Sequence, residues 1–116
     1  MSNYEMVLHV DKTDGSLRVA LGNAAAFAKA LQNESYKMVL VVNSRAVTEL
    51  KANDNPELAE PLEKAVSLGL EVRVCQGALR GMEIDPKDLF PQCTLVPGGT
   101  LELVRLQKQG YAYIKP

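Results

Sequence analysis

The run KMVLVV, Lys37–Val42, decides how this chain folds. It is apolar without alternation, as expected of a strand covered on both faces rather than one with a wet side. Strands of that kind belong to parallel sheets, whose crossover connections lay helices against the sheet. Asn43 and Ser44 end the run. The sequence on either side supports the same architecture.

Upstream, YEMVLHV (Tyr4–Val10) is rich in β-formers, and DKTDGS after it is turn material with Asp14 or Ser16 available as a helix N-cap. Leu17, Leu21, Ala24, Ala28 and Leu31 then recur at steps of four and three, one apolar stripe of a helix. Downstream, Arg45–Ala52 reads as a short helical stretch broken by KANDNPE. Pro61 lacks an amide hydrogen, so the next helix is either kinked or begins near Glu60. It carries Leu62, Ala65 and Leu68, with Gly69 as its C-terminal cap. LEVRVC (Leu70–Cys75) is a third strand, and a helical pattern begins at the residue after Cys75. EIDPKDLFPQC reads as loop with one helical turn, CTLVP as a short strand, GGTLELVRLQKQ as a helix ended by Gly110, and YAYI (Tyr111–Ile114) as a fifth strand. Strands alternating with helices in this way predict an α/β fold: a five-stranded, mostly parallel sheet with helices on both faces.

Composition narrows the function classes. The chain has 116 residues, 47% hydrophobic and 23% charged, as in ordinary globular proteins, and is read as one domain over residues 1–116. No apolar run approaches the roughly 20 residues that span a bilayer, and no basic segment precedes an apolar one at the start. The reading is a cytoplasmic protein without a membrane partner. A net charge of -1 with scattered Lys and Arg, and only 5% aromatic residues, argues against nucleic acid. The two cysteines and single histidine form no convincing zinc set, so no metal is expected, and no phosphate-loop pattern calls for a nucleotide or flavin cofactor.

Ligands of open parallel sheets collect beyond the carboxyl ends of the strands, where the winding reverses. With the common order 2-1-3-4-5, the first and third strands are neighbours and the second flanks the first. His9 and Asp11, Asn43 and Ser44, and Cys75 would then share one edge. Cys75 at a helix start would gain from free amides and the positive end of the helix dipole, which favour the thiolate, and Arg80 on the same helix would add positive charge. A buried, inert cysteine at a strand end is the alternative. His9 reads equally as a satisfied structural histidine or a base. Asp11 and Asp14 read as first-helix caps, and Cys93 as a packing residue. Gly98 and Gly99 open the last helix, where such a junction can cradle an anion or simply make a tight turn. Leu101, Leu103, Val104 and Leu106 form a core face or a subunit contact. Tyr111 and Tyr113 are expected on one sheet face, available to a partner.

VLHVD near the start, LGNAAAFAKAL in the first helix, VVNS after the second strand, VCQGALRGM around Cys75 and ELVRLQKQGYAYIKP at the end resemble the DsrE/DsrF-like family, which includes the sulfur-relay subunits TusB, TusC and TusD. The last stretch is similar to the family's small stand-alone branch. The resemblance implies a three-layer, flavodoxin-like α/β subunit that assembles into homo-oligomers, trimers or hexamers. It also implies that Cys75, followed by Ala78, Leu79 and Arg80, accepts sulfane sulfur as a persulfide from a donor protein and passes it to an acceptor. Stand-alone relatives commonly carry an Asn-Thr pair where this chain has Gly77 and Ala78. The competing expectation is a non-catalytic oligomeric binding or assembly module in which Cys75 is structural. A phosphorelay receiver is excluded, because Cys75 holds the place where an aspartate would be needed.

Overall fold

KMVLVV lies in the middle of the molecule. In the computed structural model, which describes residues 3–116, the strands are β1 (Tyr4–Val10), β2 (Tyr36–Val42), β3 (Leu70–Cys75), β4 (Cys93–Val96) and β5 (Ala112–Ile114). They form one sheet in the order β4-β3-β2-β1-β5, with all four pairings parallel. Met38 to Val42 are wholly removed from solvent, the burial that their unbroken apolarity calls for.

This order corrects the expected 2-1-3-4-5. The first and third strands are not neighbours, because β2 stands between them, paired Val10↔Val42 on one side and Val42↔Val74 on the other. The reason lies in burial: only a strand with neighbours on both edges and helices on both faces can hide five consecutive apolar residues. From β1 to β4 the chain steps one strand at a time in one direction, and only the last crossover returns past β1 to β5.

Right-handed crossovers that advance in one direction deposit their helices on one face, and a crossover that runs back deposits its helix on the other. Accordingly α1 (Ser16–Ala30), α2 (Ala59–Ser67) and α3 (Gln76–Gly81) cover one face, packing Leu17, Leu21, Leu62 and Leu79 against Leu8, Leu40, Val72 and Val74. The second face is covered by α4 (Gly99–Lys108) alone, with Leu103, Leu106 and Tyr111 against Val7, Val39 and Val41.

Local chemistry sets the element ends. Gly15, at φ +89°, is the residue before α1, and the Asp14 carboxylate accepts from the Ser16 amide at 3.1 Å, so Asp14 supplies the cap acceptor. Ser44–Leu50 and Pro56–Leu58 are 3-10 turns, and α2 starts at Ala59, with Pro61 in its first turn, where no intrahelical amide bond is lost. Gly69 closes that helix at φ +112°. Tyr111 falls just before β5 rather than in it. Among the described residues no helix is long and apolar enough to cross a membrane.

Candidate functional site

The strand order moves the reversal of winding. The chain leaves β3 toward α3 on one face and leaves the adjacent β4 toward α4 on the other, so the crevice between diverging connections opens at the carboxyl ends of β3 and β4. Cys75, in register with Val96, stands there. Val72 and Val74 point into the core beneath α1 to α3, so strand alternation turns Arg73 and Cys75 toward the α4 side.

Cys75 is half-buried and is itself the N-cap of α3: its Sγ accepts the amide hydrogen of Ala78 at 3.4 Å. Cys93 is different. It faces the opposite side of the sheet, packed against the larger core, and burial pushes its thiol up to about 12. It pairs with Val72, three residues back from Cys75, about 10 Å along the strand and beyond disulfide reach.

Asn43 is next to Cys75. It follows Val42, which pairs with Val74, and its backbone stays extended (φ −139°, ψ −178°), so it continues β2 beside Cys75, one strand spacing or about 5 Å away. Ser44 then turns the chain off the sheet at φ +56°, an unusual conformation for a residue with a side chain. Asn43 also meets the start of α4. A Cβ built on Gly99 would lie 2.7 Å from Asn43 Cβ and 3.0 Å from its Nδ2, so glycine is required there by close approach.

His9 lies on the far side of Asn43. Its Nε2 is 3.0 Å from Asn43 Oδ1 and its Nδ1 is 2.6 Å from the Tyr113 hydroxyl. An acceptor at Oδ1 requires the proton on Nε2, and in the neutral ring that leaves Nδ1 to accept from Tyr113. Both ring nitrogens are thereby engaged, and His9 is two strands from Cys75, about 10 Å. Among the described residues Asp11 caps no helix: its carboxylate accepts from Lys115 Nζ, and that contact holds it below the usual carboxylate range.

The remaining expected residues separate. Arg80 sits exposed in the last turn of α3, about 7 Å along the helix from its start, rather than beside the sulfur. The cation on the cysteine's own sheet face is Arg73, bound at 2.5 Å to Glu102 of α4. Gly98 is the N-cap of α4 and Gly99 its first residue, in the close-packed role. Leu103 and Leu106 are buried while Leu101 and Val104 are exposed, so the expected single face is two. Tyr111 is buried under α4, and only Tyr113 of the pair is exposed. The sequence reading missed Lys115, Arg73 and the service of Tyr113 to His9. Only the placement of β5 beside β1, in register Leu8↔Ile114, brings Tyr113 and Lys115 to this edge.

A sequence model of the DsrE/DsrF-like family matches residues 7–116. Among solved structures, a protein of unknown function from Methanobacterium thermoautotrophicum is 28% identical and superposes with a TM-score of 0.88, over 98% of this chain and 100% of its own. A conserved protein of unknown function from Bacteroides thetaiotaomicron superposes at 0.76 with 8% identity, over 98% of this chain and 96% of its own, a likeness of fold alone. No curated protein matches.

Proposed function

The chain belongs to the DsrE/DsrF-like family, which implies a sulfur-relay-related role at the level of the family, and from that premise we propose that it carries sulfane sulfur as a persulfide on Cys75. The observation that carries the reading is the contrast between its two thiols. Both thiols are partly buried, but Cys93 is packed against core side chains that hold its proton, whereas Cys75 stands in the crevice where the winding reverses, with an amide directed at its sulfur. Thiol exchange needs an accessible sulfur that can bear negative charge, and amide donors favour the anion.

The exchange balances without an outside oxidant. The Cys75 thiolate attacks the outer sulfur of a donor persulfide R–S–SH. A bond forms between Cys75 Sγ and that sulfur, the donor's S–S bond breaks, and its electron pair leaves on the inner sulfur as R–S⁻. An acceptor thiolate reverses these roles at the outer sulfur and releases Cys75 as thiolate. We also propose that the carrier is a homo-oligomer, in which a second copy covers the exposed Leu101 and Val104 of α4 and the uncovered side of β3 and β4.

The test is the intact mass of wild-type, Cys75→Ser and Cys93→Ser proteins after incubation with a cysteine desulfurase and cysteine, or with polysulfide. A reducible gain of one sulfur atom, lost only in Cys75→Ser, supports the carrier. No uptake by the wild type from either source sinks it.

A further inference from the structure

Once Cys75 is loaded, the outer sulfur carries the charge, and a hydrogen-bond donor beside it would hold and stabilise it. That sulfur lies about 2 Å beyond Sγ, and the amide of Ala78 is already committed to Sγ itself. The basic side chains on the cysteine's own sheet face and on α3 are engaged or distant. Both nitrogens of His9 are occupied, Arg73 is paired with Glu102, and Arg80 lies at the other end of α3. The side chain of Asn43 stands beside Cys75 on the adjacent strand and on the same sheet face. Its Oδ1 is taken by His9, and its Nδ2 makes no hydrogen bond among the described residues.

We infer that Asn43 is a catalytic residue of sulfur transfer, donating from Nδ2 to the outer sulfur on Cys75, and that His9 is the positioning residue that aims it. The proposal rests on the persulfide reading. The amide has two ends of opposite character, and His9 decides which faces the crevice. With a neutral ring and the Tyr113 hydroxyl donating to Nδ1, His9 presents Nε2–H, which binds Oδ1 and turns Nδ2 away from His9, against the start of α4 at Gly99. Gly99 allows this rotamer, since any side chain there would fill the space Asn43 occupies. During uptake the same N–H meets the sulfur as the donor bond breaks. During release it favours the persulfide anion that presents the outer sulfur to the acceptor.

The experiment loads full-length wild type, Asn43→Asp, Asn43→Ser, His9→Gln and His9→Ala from polysulfide. Three quantities are measured: the uptake rate by mass, the rate of sulfur transfer to dithiothreitol, and the pH midpoint of the persulfide anion's near-ultraviolet band. Asn43→Asp keeps the shape and the bond to His9 but replaces the donor with a carboxylate. Uptake is expected to slow about tenfold or more, with the persulfide midpoint raised by about one unit. Asn43→Ser retains a donor and falls between. His9→Ala follows Asn43→Asp in direction, and His9→Gln, whose amide reaches as far as Nε2, restores most of the rate. The midpoint separates this role from a structural one, because loosening the fold alone would not shift it upward in Asn43→Asp and leave it in place in His9→Gln. If loaded wild type and Asn43→Asp share both rate and midpoint, Asn43 has no such role while the carrier reading survives. Should the wild type itself take up no sulfur, both readings fall together.

Discussion

Gly99 and Cys93 each turn an ordinary residue type into a sharp expectation. Gly99→Ala would place a Cβ against the Asn43 side chain, and since neither the strand end nor the helix start can yield freely, a loss of about 1–3 kcal/mol in urea unfolding is expected. Cys93 has its folded thiol raised from 9.0 to about 12 by burial. A raised folded value means that its contribution is fully present below pH 9 and is lost as pH rises toward 12, because the unfolded chain ionises first. The slope is at most about 1.4 kcal/mol per pH unit, so the stability of wild type relative to Cys93→Ala should fall across that window and stay level below it. In the folded protein at pH 8, iodoacetamide should label Cys75 faster than Cys93, whose raised thiol holds its proton, with the difference lost in urea, a distinction read from peptide masses. Cys75 itself was legible in the sequence, since a thiol at the last position of a strand with a helix starting next has a definite place in a parallel sheet. The engagement of His9 was not, because its two partners, Asn43 and Tyr113, lie 34 and 104 residues away.

Helices and strands were the most legible features, since each is set by its own periodicity and end signals. Pro61 and Gly69 bracket α2 in the sequence as they do in three dimensions: proline lies in a first turn that needs no amide, and glycine holds the positive φ that ends the helix. Gly69→Ala is therefore expected to cost about 1 kcal/mol, through backbone strain rather than lost packing. The α4 helix shows where periodicity stops being enough. Its apolar residues at 101, 103, 104 and 106 do not say which of them face the sheet. The answer comes from Glu102, which sits buried in the first turn because Arg73 reaches it from β3. Glu102→Ala would leave the half-buried guanidinium with the exposed Glu71 as its one partner among the described residues, and a loss of about 1–3 kcal/mol in thermal unfolding is expected, larger than removing Glu71. Leu106→Ala, which empties the centre of the same contact, should cost about 2–5 kcal/mol.

Strand order does not follow from the alternation of elements, because two orders of the same elements bury the same apolar residues on the same helices. What separates them is which strand must be central. Met38–Val42 carries that information, as five consecutive residues without one polar side chain, and central placement follows from it. The same topology creates an imbalance. Three crossovers advance across the sheet and one returns, so one face receives α1 to α3 and the other only α4. Behind β3 and β4 the sheet shows Glu71 and Thr94 to solvent, and beside it α4 exposes Leu101 and Val104, each about half accessible. A parallel sheet is stable with both faces covered, and a single ten-residue helix does not span five strands. The proposed second copy would complete that layer, with its own α4 as the nearest apolar surface of matching character. Sedimentation equilibrium should then give a mass of two or more times the chain's. Leu101→Glu combined with Val104→Glu should shift it to the monomer, since both side chains are exposed in the single chain and leave its core untouched. A wild type that sediments as a monomer at the highest concentrations reached would remove the assembly from the proposal. Sulfur uptake at Cys75 by the same preparation would then show that one chain holds the whole crevice by itself.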